Sequence, residues 1–430
     1  MTDAQTTEPA PPEPRRTLRA VAVDFWLYWV GQTVSNLGRA FSSFAFPLII
    51  YRLGGGPQGL ALIVVALFLP NLLFGIFVGA WCDRLNRKVL MVAMDVARFA
   101  VLAVVGGIGV AGGLEPWMLF VAAFCTATFD LAFESSQAAV VPALVPDRAD
   151  FVKANSRMMA GVQIGALGGP ILAGMLVLLL PVPAVLLADA SSYLVSGVSL
   201  LLVSRSFNRG GSDTRRTSTI VQDAVAGLRY MVRQPTMRSI MLIATLTHLF
   251  GATAMAEIVL FASKHLQAGP TKISVLYAAE GVAALLLSFT ASYAARRIGH
   301  GRSMLLAIGV RGALLIALVL TPWYWLAVPL WGIAVGVQFF FSIHSASVSQ
   351  SIVPNDMLGR VSSVGGLMIS TAIPVSVLIG GWVLEHARVE TVFLGMGVLT
   401  LLIPIVFRLF GGVIRDPEPV AAPQPVAAEA

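Results

Sequence analysis

Asp130 and Glu134 lie four residues apart in a long apolar run, and Glu257 and Glu280 stand as single carboxylates in two others. An ionisable group in such surroundings is costly to hold charged, which makes it a candidate to carry a proton. His248 and His344 add two groups that titrate near neutral pH in ordinary surroundings. Thr126, Asp130, Glu134 and Gln137 share one helical face by their spacing. Gln32, Asn36, Arg39 and Ser43 do the same in the first apolar run. Gln338, Ser342, Ser345 and Ser349 repeat that spacing in a later one. An arginine deep in a bilayer needs a partner. Arg39 stands about 20 Å along its run at roughly 1.5 Å per residue, level with Asp130, so the two are expected to pair. Glu134 is then expected to lack a cation and to be the better proton carrier. Asp95 and Arg98, three residues apart, are expected to pair locally, and Asp189 and Arg311 to be structural.

The elements that hold these residues follow from composition. The chain has 430 residues, 57% hydrophobic and 12% charged. Soluble domains carry about a quarter charged residues, so this apolar surface calls for lipid. Twelve segments suit an all-α membrane protein of twelve transmembrane helices. They are Phe25–Ile49, Leu60–Cys82, Val89–Val110, Trp117–Val140, Met158–Leu180, Ala184–Val203, Met237–Phe261, Ile273–Ala295, Met304–Leu320, Trp325–Val348, Val361–Leu384 and Val389–Phe410. Of the 29 Lys and Arg, 22 fall on the side of the two tails and four on the other. That bias places both termini in the cytoplasm of a multi-pass protein in the cytoplasmic membrane. The net charge of +7 therefore argues for topology rather than nucleic acid.

The expected organisation is a disordered tail (1–20), a six-helix bundle (21–204), a cytoplasmic linker (205–236), a second six-helix bundle (237–412) and a second disordered tail (413–430). Within the linker, Ile220 to Val232 has the spacing of an amphipathic interfacial helix, ended by Pro235. The bundles echo one another: Val140-Val-Pro-Ala-Leu-Val-Pro-Asp147 precedes a Gly-rich fifth span, and Ile352-Val-Pro-Asn-Asp356 a Gly-rich eleventh. Cys82 and Cys125 sit in apolar runs, with no disulfide framework and no metal-binding spacing.

Three motifs carry mechanism. After the second span the chain reads Gly79-Ala-Trp-Cys-Asp83-Arg84-Leu-Asn86-Arg87-Lys88. The small residue permits close helix approach, the acid four residues on lies on the same face, and the basic residues can cap carbonyl ends of neighbouring helices. That is a latch able to hold one conformation. Asn86 is a residue type that tolerates a left-handed turn. The corresponding turn near Arg296, Arg297, Gly299 and Arg302 has a basic residue in place of the acid. The fifth span carries Gly165, Gly169, Pro170 and Gly174, suited to close packing and a bend.

The first motif resembles the major facilitator superfamily signature between spans two and three, with Asn86 replacing a glycine. The fifth-span glycines resemble the pattern of the superfamily's antiporters. Gly31-Gln-Thr-Val-Ser35-Asn-Leu37-Gly38, Pro142-Ala-Leu-Val-Pro146 and Asp189-Ala-Ser-Ser-Tyr193 are similar to the branch containing the enterobactin exporter and the macrolide efflux proteins. The resemblance implies two pseudo-symmetric six-helix bundles that rock about a central cavity lined by spans one, four, seven and ten. It implies a monomeric secondary transporter that needs no cofactor or metal and exports a drug, siderophore or other amphipathic small molecule against protons. An importer of the same fold is the alternative. No Walker A pattern suggests an ATP-driven pump, and five scattered histidines do not suggest a membrane-embedded lipid-modifying enzyme.

Overall fold

The computed structural model describes residues 18–82, 85–137, 140–145, 151–205, 207, 220–409 and 414. Among them the secondary structure is entirely helical. In chain order the helices are α1 (Leu18–Arg52), α2 (Gly56–Cys82), α3 (Arg87–Val110), α4 (Pro116–Gln137), α5 (Val140–Leu144), α6 (Phe151–Leu179), α7 (Val182–Leu202) and α8 (Ile220–Arg233). Then come α9 (Pro235–Ala256), α10 (Ile258–Lys264), α11 (Pro270–Ile298), α12 (His300–Leu320), α13 (Tyr324–Ile352), α14 (Asn355–His386) and α15 (Val389–Leu409). Eleven of the described helices are long and apolar enough to cross a membrane. α1 is not among them, although its 35 residues exceed the length of a span. Its polar face, with Gln32, Asn36, Arg39 and Ser43, lowers its hydropathy.

Two local expectations change. The seventh apolar segment is broken at Glu257, which caps α9 at φ −100° and leads into α10. Pro235 does not simply end α8: it opens α9, where its missing N–H costs nothing, and Gln234 caps that start by accepting from Thr236 N at 2.7 Å. α8 itself is held to the start of α14 by Arg360 Nε on Asp223 at 2.7 Å and to the end of α13 by Tyr230 Oη donating to Ile352 O.

Packing divides at the level of whole helices. α1 packs on α6 and α7, α3 on α4 and α7, and α2 on α4. Later in the chain α11 packs on α13, α12 on α13 and α15, and α14 on α9. The two groups meet side by side where α6 contacts α11 and α2 contacts α14. Asn71 of α2 donates to Ser370 of α14 at 2.9 Å across this seam.

The hydrophobic clusters show how the two groups meet end on. One cluster joins residues of both groups beside the loops at 53–55, 111–115, 265–269 and 387–388. It includes Phe44, Phe46, Leu114, Phe261, Leu266 and Phe393, all buried. At the opposite end, near the tails, the clusters stay within their own group. Phe25, Tyr28, Leu144 and Phe207 belong to one; Met231, Met237, Met304 and Val361 belong to another. Among the described residues the molecule is sealed by apolar contact at the far end and not at the tail end.

Candidate functional site

The candidate residues of the first helical group assemble into one chain of charges. α3 brings Asp95 and Arg98 to one face, and Arg98 is fully buried. Its guanidinium bonds both Asp95 and, on α4, Asp130. It also lies between two rings, 4.5 Å from Phe133 and 4.3 Å from Tyr193. Arg39 of α1 donates to Glu134 at 2.8 Å and stands 3.6 Å from Asp130. The order is thus Asp95, Arg98, Asp130, Arg39, Glu134: three carboxylates against two guanidiniums. The inner end is dry, with Asp95 buried. The other end is open, with the Glu134 side chain 53% exposed.

This arrangement corrects the expected pairing. Arg39 does reach Asp130, but the close cation of Asp130 is Arg98, and Glu134 takes the shorter bond to Arg39. Asp95 and Arg98 are not a local pair only. The sequence signal was present as two acid-containing repeats, Asp95 to Arg98 and Asp130 to Glu134; what it lacked was the rotation that turns α3 toward α4.

The dry end continues through neutral donors. Ser196 of α7 donates to Asp95 at 2.7 Å and receives from Gln32 at 2.9 Å. Gln32 is therefore buried against α7 rather than in the gap. Asp189 of α7, fully buried, accepts from Ser42 and Ser192. The first and third branch motifs meet here. A Cβ on Gly38 would fall 2.7 Å from Asp189 Oδ1, and one on Gly31 would strike Ser199. Glycine at these two positions lets α1 lie against α7. Asn36 faces α6 instead, where a Cβ on Gly165 would stand 2.5 Å from the Asn36 Cβ and 2.9 Å from its carbonyl oxygen. Gly169 meets Ala40 in the same way, whereas Gly174 faces Ser274 of α11. α6 runs helical through Pro170. The three polar stripes are thus not uniform. Thr126, Ser43 and Ser342 return their hydroxyls to carbonyls of their own helices, and Gln137 ends α4 half-buried.

The second group holds its candidates apart. Glu257, buried at the break between α9 and α10, has no hydrogen-bond partner on either oxygen among the described residues. Glu280 of α11 accepts from Trp331 Nε1 of α13 at 2.7 Å, so it is not in wholly apolar surroundings. Gln338 receives Arg311 at 2.7 Å, and Arg311 also donates to Gly251 O. His344 faces His300 with their Nδ1 atoms 3.0 Å apart. His248 is tied to Ala244 O of its own helix.

Of the turn after α2, Asp83 and Arg84 lie outside the described residues, and Gly79 falls in the last turn of α2. Arg87 opens α3. Lys88 reaches the end of α7, donating to Val203 O at 2.5 Å, which satisfies a carbonyl left free by the helix. Asn86 is not left-handed: at φ −70° it caps α3 and accepts from Val89 N.

Comparison with known proteins agrees with this architecture. A family model described as transmembrane secretion effector matches residues 19–418. Macrolide efflux protein A of Streptococcus pyogenes is 22% identical over 386 residues, covering 89% of this chain and 94% of that protein. A bacterial homologue of the human lysosomal transporter Spinster, in an inward-facing and occupied conformation, superposes with a TM-score of 0.72 at 15% identity, over 94% of this chain and 100% of that one. A bacterial homologue of the iron transporter ferroportin superposes at 0.65 in its inward-facing state, with 18% identity over 93% of this chain and 100% of its own. A bacterial homologue of ferroportin in an outward-facing state superposes at 0.57, with 19% identity over 91% of this chain and 100% of its own. With its multi-pass helical fold and a family match over nearly its whole length, the chain belongs to the transmembrane secretion effector family of major facilitator transporters.

Proposed function

We propose that the chain is a proton-coupled exporter of an amphipathic small molecule, such as a drug or siderophore, acting by alternating access and not as an enzyme. In this reading twelve spans form two pseudo-symmetric six-helix bundles of a monomer, both tails are cytoplasmic, and the structure is the inward-open state. The observation that carries the proposal is the charge chain from Asp95 to Glu134. It has one carboxylate more than its cations, it runs from a dry interior to an exposed end, and it crosses three helices. A proton taken at Glu134 frees Arg39 to turn wholly to Asp130, so protonation moves the α1–α4 link along α4 to the carboxylate that Arg98 of α3 already holds. Packing supports the inward-open assignment, because cross-group apolar contact is confined to the far end. The efflux function of a relative spanning 94% of its own length supports export.

The test is transport in inverted membrane vesicles carrying an internal pH-sensitive dye, with a panel of macrolides, other cationic drugs and siderophores. Addition of a true substrate should collapse an imposed proton gradient, and Glu134→Gln should uncouple the two movements. Substrate movement at wild-type rate with no proton movement would leave the charge chain a structural feature. Accumulation in right-side-out vesicles only would reverse the direction.

A further inference from the structure

α15 is flanked by two open apolar grooves on the outer surface of the second helical group, and each ends in arginine at the tail side. The groove between α12 and α15 has a volume of about 650 Å³ and is lined by Leu305, Leu306, Pro404 and Ile405, with Arg302 and Arg408 at its end. Arg302 stands in the first turn of α12 and Arg408 in the last turn of α15, so both cap the groove from the same side. The groove between α9 and α15 has a volume of about 510 Å³ and carries Arg238 and Ser239 above Leu242, Leu246 and Phe407. Arg238, Arg302 and Arg408 are all exposed, and no ion pair is formed by any of them among the described residues.

The geometry points to a binding site for an anionic phospholipid of the tail-side leaflet, with an acyl chain in the α12–α15 groove and its phosphate between Arg302 and Arg408. Three features select this occupant. The groove lies on membrane-spanning helices, so acyl chains are what it meets. Its walls are aliphatic, with Leu306 60% and Ile405 47% exposed, which lipid covers at no cost. Its polar end holds two guanidiniums, whose forked donors match phosphate oxygens and which have no carboxylate partner among the described residues. Basic pockets between helices at the tail-side interface recognise anionic headgroups on this principle. α8, packed on α9 and α14, presents Val225, Leu228 and Val232 to the exterior beside Arg229 and Arg233, which is suited to the same interface. The inference does not depend on substrate or direction of transport.

The test is native mass spectrometry of the full chain in detergent, equilibrated with equal amounts of phosphatidylglycerol and phosphatidylcholine of identical acyl chains. Wild type should retain phosphatidylglycerol in preference. Arg302→Gln with Arg408→Gln should lower that retention at least about tenfold, since the loss of even one charge-assisted hydrogen bond has that effect. Because both side chains are exposed, the variant should fold. Its tryptophan-monitored melting without lipid checks this, and phosphatidylglycerol should raise the melting temperature of wild type only. Equal retention of the two lipids by wild type, or unchanged retention by the folded variant, would overturn the inference. So would displacement of the lipid by inorganic phosphate alone, since that assigns the arginines to a soluble anion. If the variant fails to fold, Leu306→Glu is used in its place; it blocks the acyl groove from an exposed position, and unchanged retention there overturns the inference equally.

Discussion

Replacing Arg98 by Met removes the cation between Asp95 and Asp130 while keeping an unbranched side chain between Phe133 and Tyr193. Arg98 is fully buried, and Asp95 is only 1% exposed. Breaking a buried ion pair from one side costs about 3–5 kcal/mol, because the remaining charge is stranded. Arg39→Met breaks a contact whose side chains are 36% and 53% exposed. Exposed pairs are worth about 0.2–1 kcal/mol, so Arg98 should matter more to stability by about 3 kcal/mol. Equilibrium unfolding of the two variants in one detergent, followed by intrinsic fluorescence, measures the difference. Combining Arg98→Met with Asp95→Asn and Asp130→Asn removes every stranded charge, and stability should largely return. Proton-coupled transport should not return with it, since the chain is then cut. Equal destabilisation by Arg98→Met and Arg39→Met, or a triple variant as unstable as Arg98→Met, would refute the assignment of Arg98 as the central link.

Three further outcomes are expected. Gly165→Leu should destabilise the protein by about 1–3 kcal/mol through overpacking, because even a Cβ there lies 2.5 Å from Asn36 Cβ; the same substitution at Gly366, where a Cβ meets nothing within 4 Å, should be tolerated in the same unfolding assay. Glu257→Gln should leave stability unchanged or raised, since both carboxylate oxygens are buried without partners, and a dye-monitored loss of proton movement with substrate binding retained would place Glu257 in the coupling path. A single cysteine placed between Ser204 and Thr219 in a cysteine-free chain should react with an impermeant thiol reagent only from the cytoplasmic side; labelling in intact cells would invert the proposed topology.

The helical class and the positions of the long helices were legible because each rests on a local property, an apolar run bounded by Gly, Pro or charge. The membrane face of a helix is also local, so stripes such as Asp130 and Glu134 could be recognised. What could not be read was rotation about the helix axis relative to a neighbour. Arg98 and Asp95 are three residues apart, and that spacing fits a private pair as well as a bridge to α4. Gln32 shares a stripe with Arg39, yet it is buried on Ser196 of α7 while Arg39 opens toward Glu134. Asn86 and Pro235 show the same limit for backbone. Each residue type suits two roles, and the capping demand of the following helix decided between them. The break at Glu257 had a weaker signal, since Thr253, Ile258 and Val259 disfavour helix only mildly and no Gly or Pro stands at the break itself.

The distribution of apolar contact also bears on how the molecule changes state. Opening the far end requires separating Phe44 of α1 from Tyr277 of α11, whose ring centroids lie 4.9 Å apart, and α1 from α10, whose Phe261 belongs to the same apolar cluster. Exposing a large apolar side chain to water costs about 1.5–3 kcal/mol, so even a few such residues impose a barrier of several kcal/mol on the closed seal. Two states that interconvert during transport must lie within a few kcal/mol of each other. The tail end must therefore gain compensating contacts when it closes. Among the described residues its ends are bound by polar links within each group: Lys88 on Val203, Arg205 on Ala143, and Arg360 on Asp223. None of these is lost when the groups approach. The proposed closing contacts lie at the tail-side end of the α2–α14 seam, along which Asn71 already bonds Ser370, beside the charged sequence Asp83-Arg84-Leu-Asn86-Arg87-Lys88 that follows α2. A charged turn is a suitable closure, because its strength depends on the charge near it. One proton added to a chain with one excess carboxylate shifts that balance at the helices, α1 and α4, that flank α2.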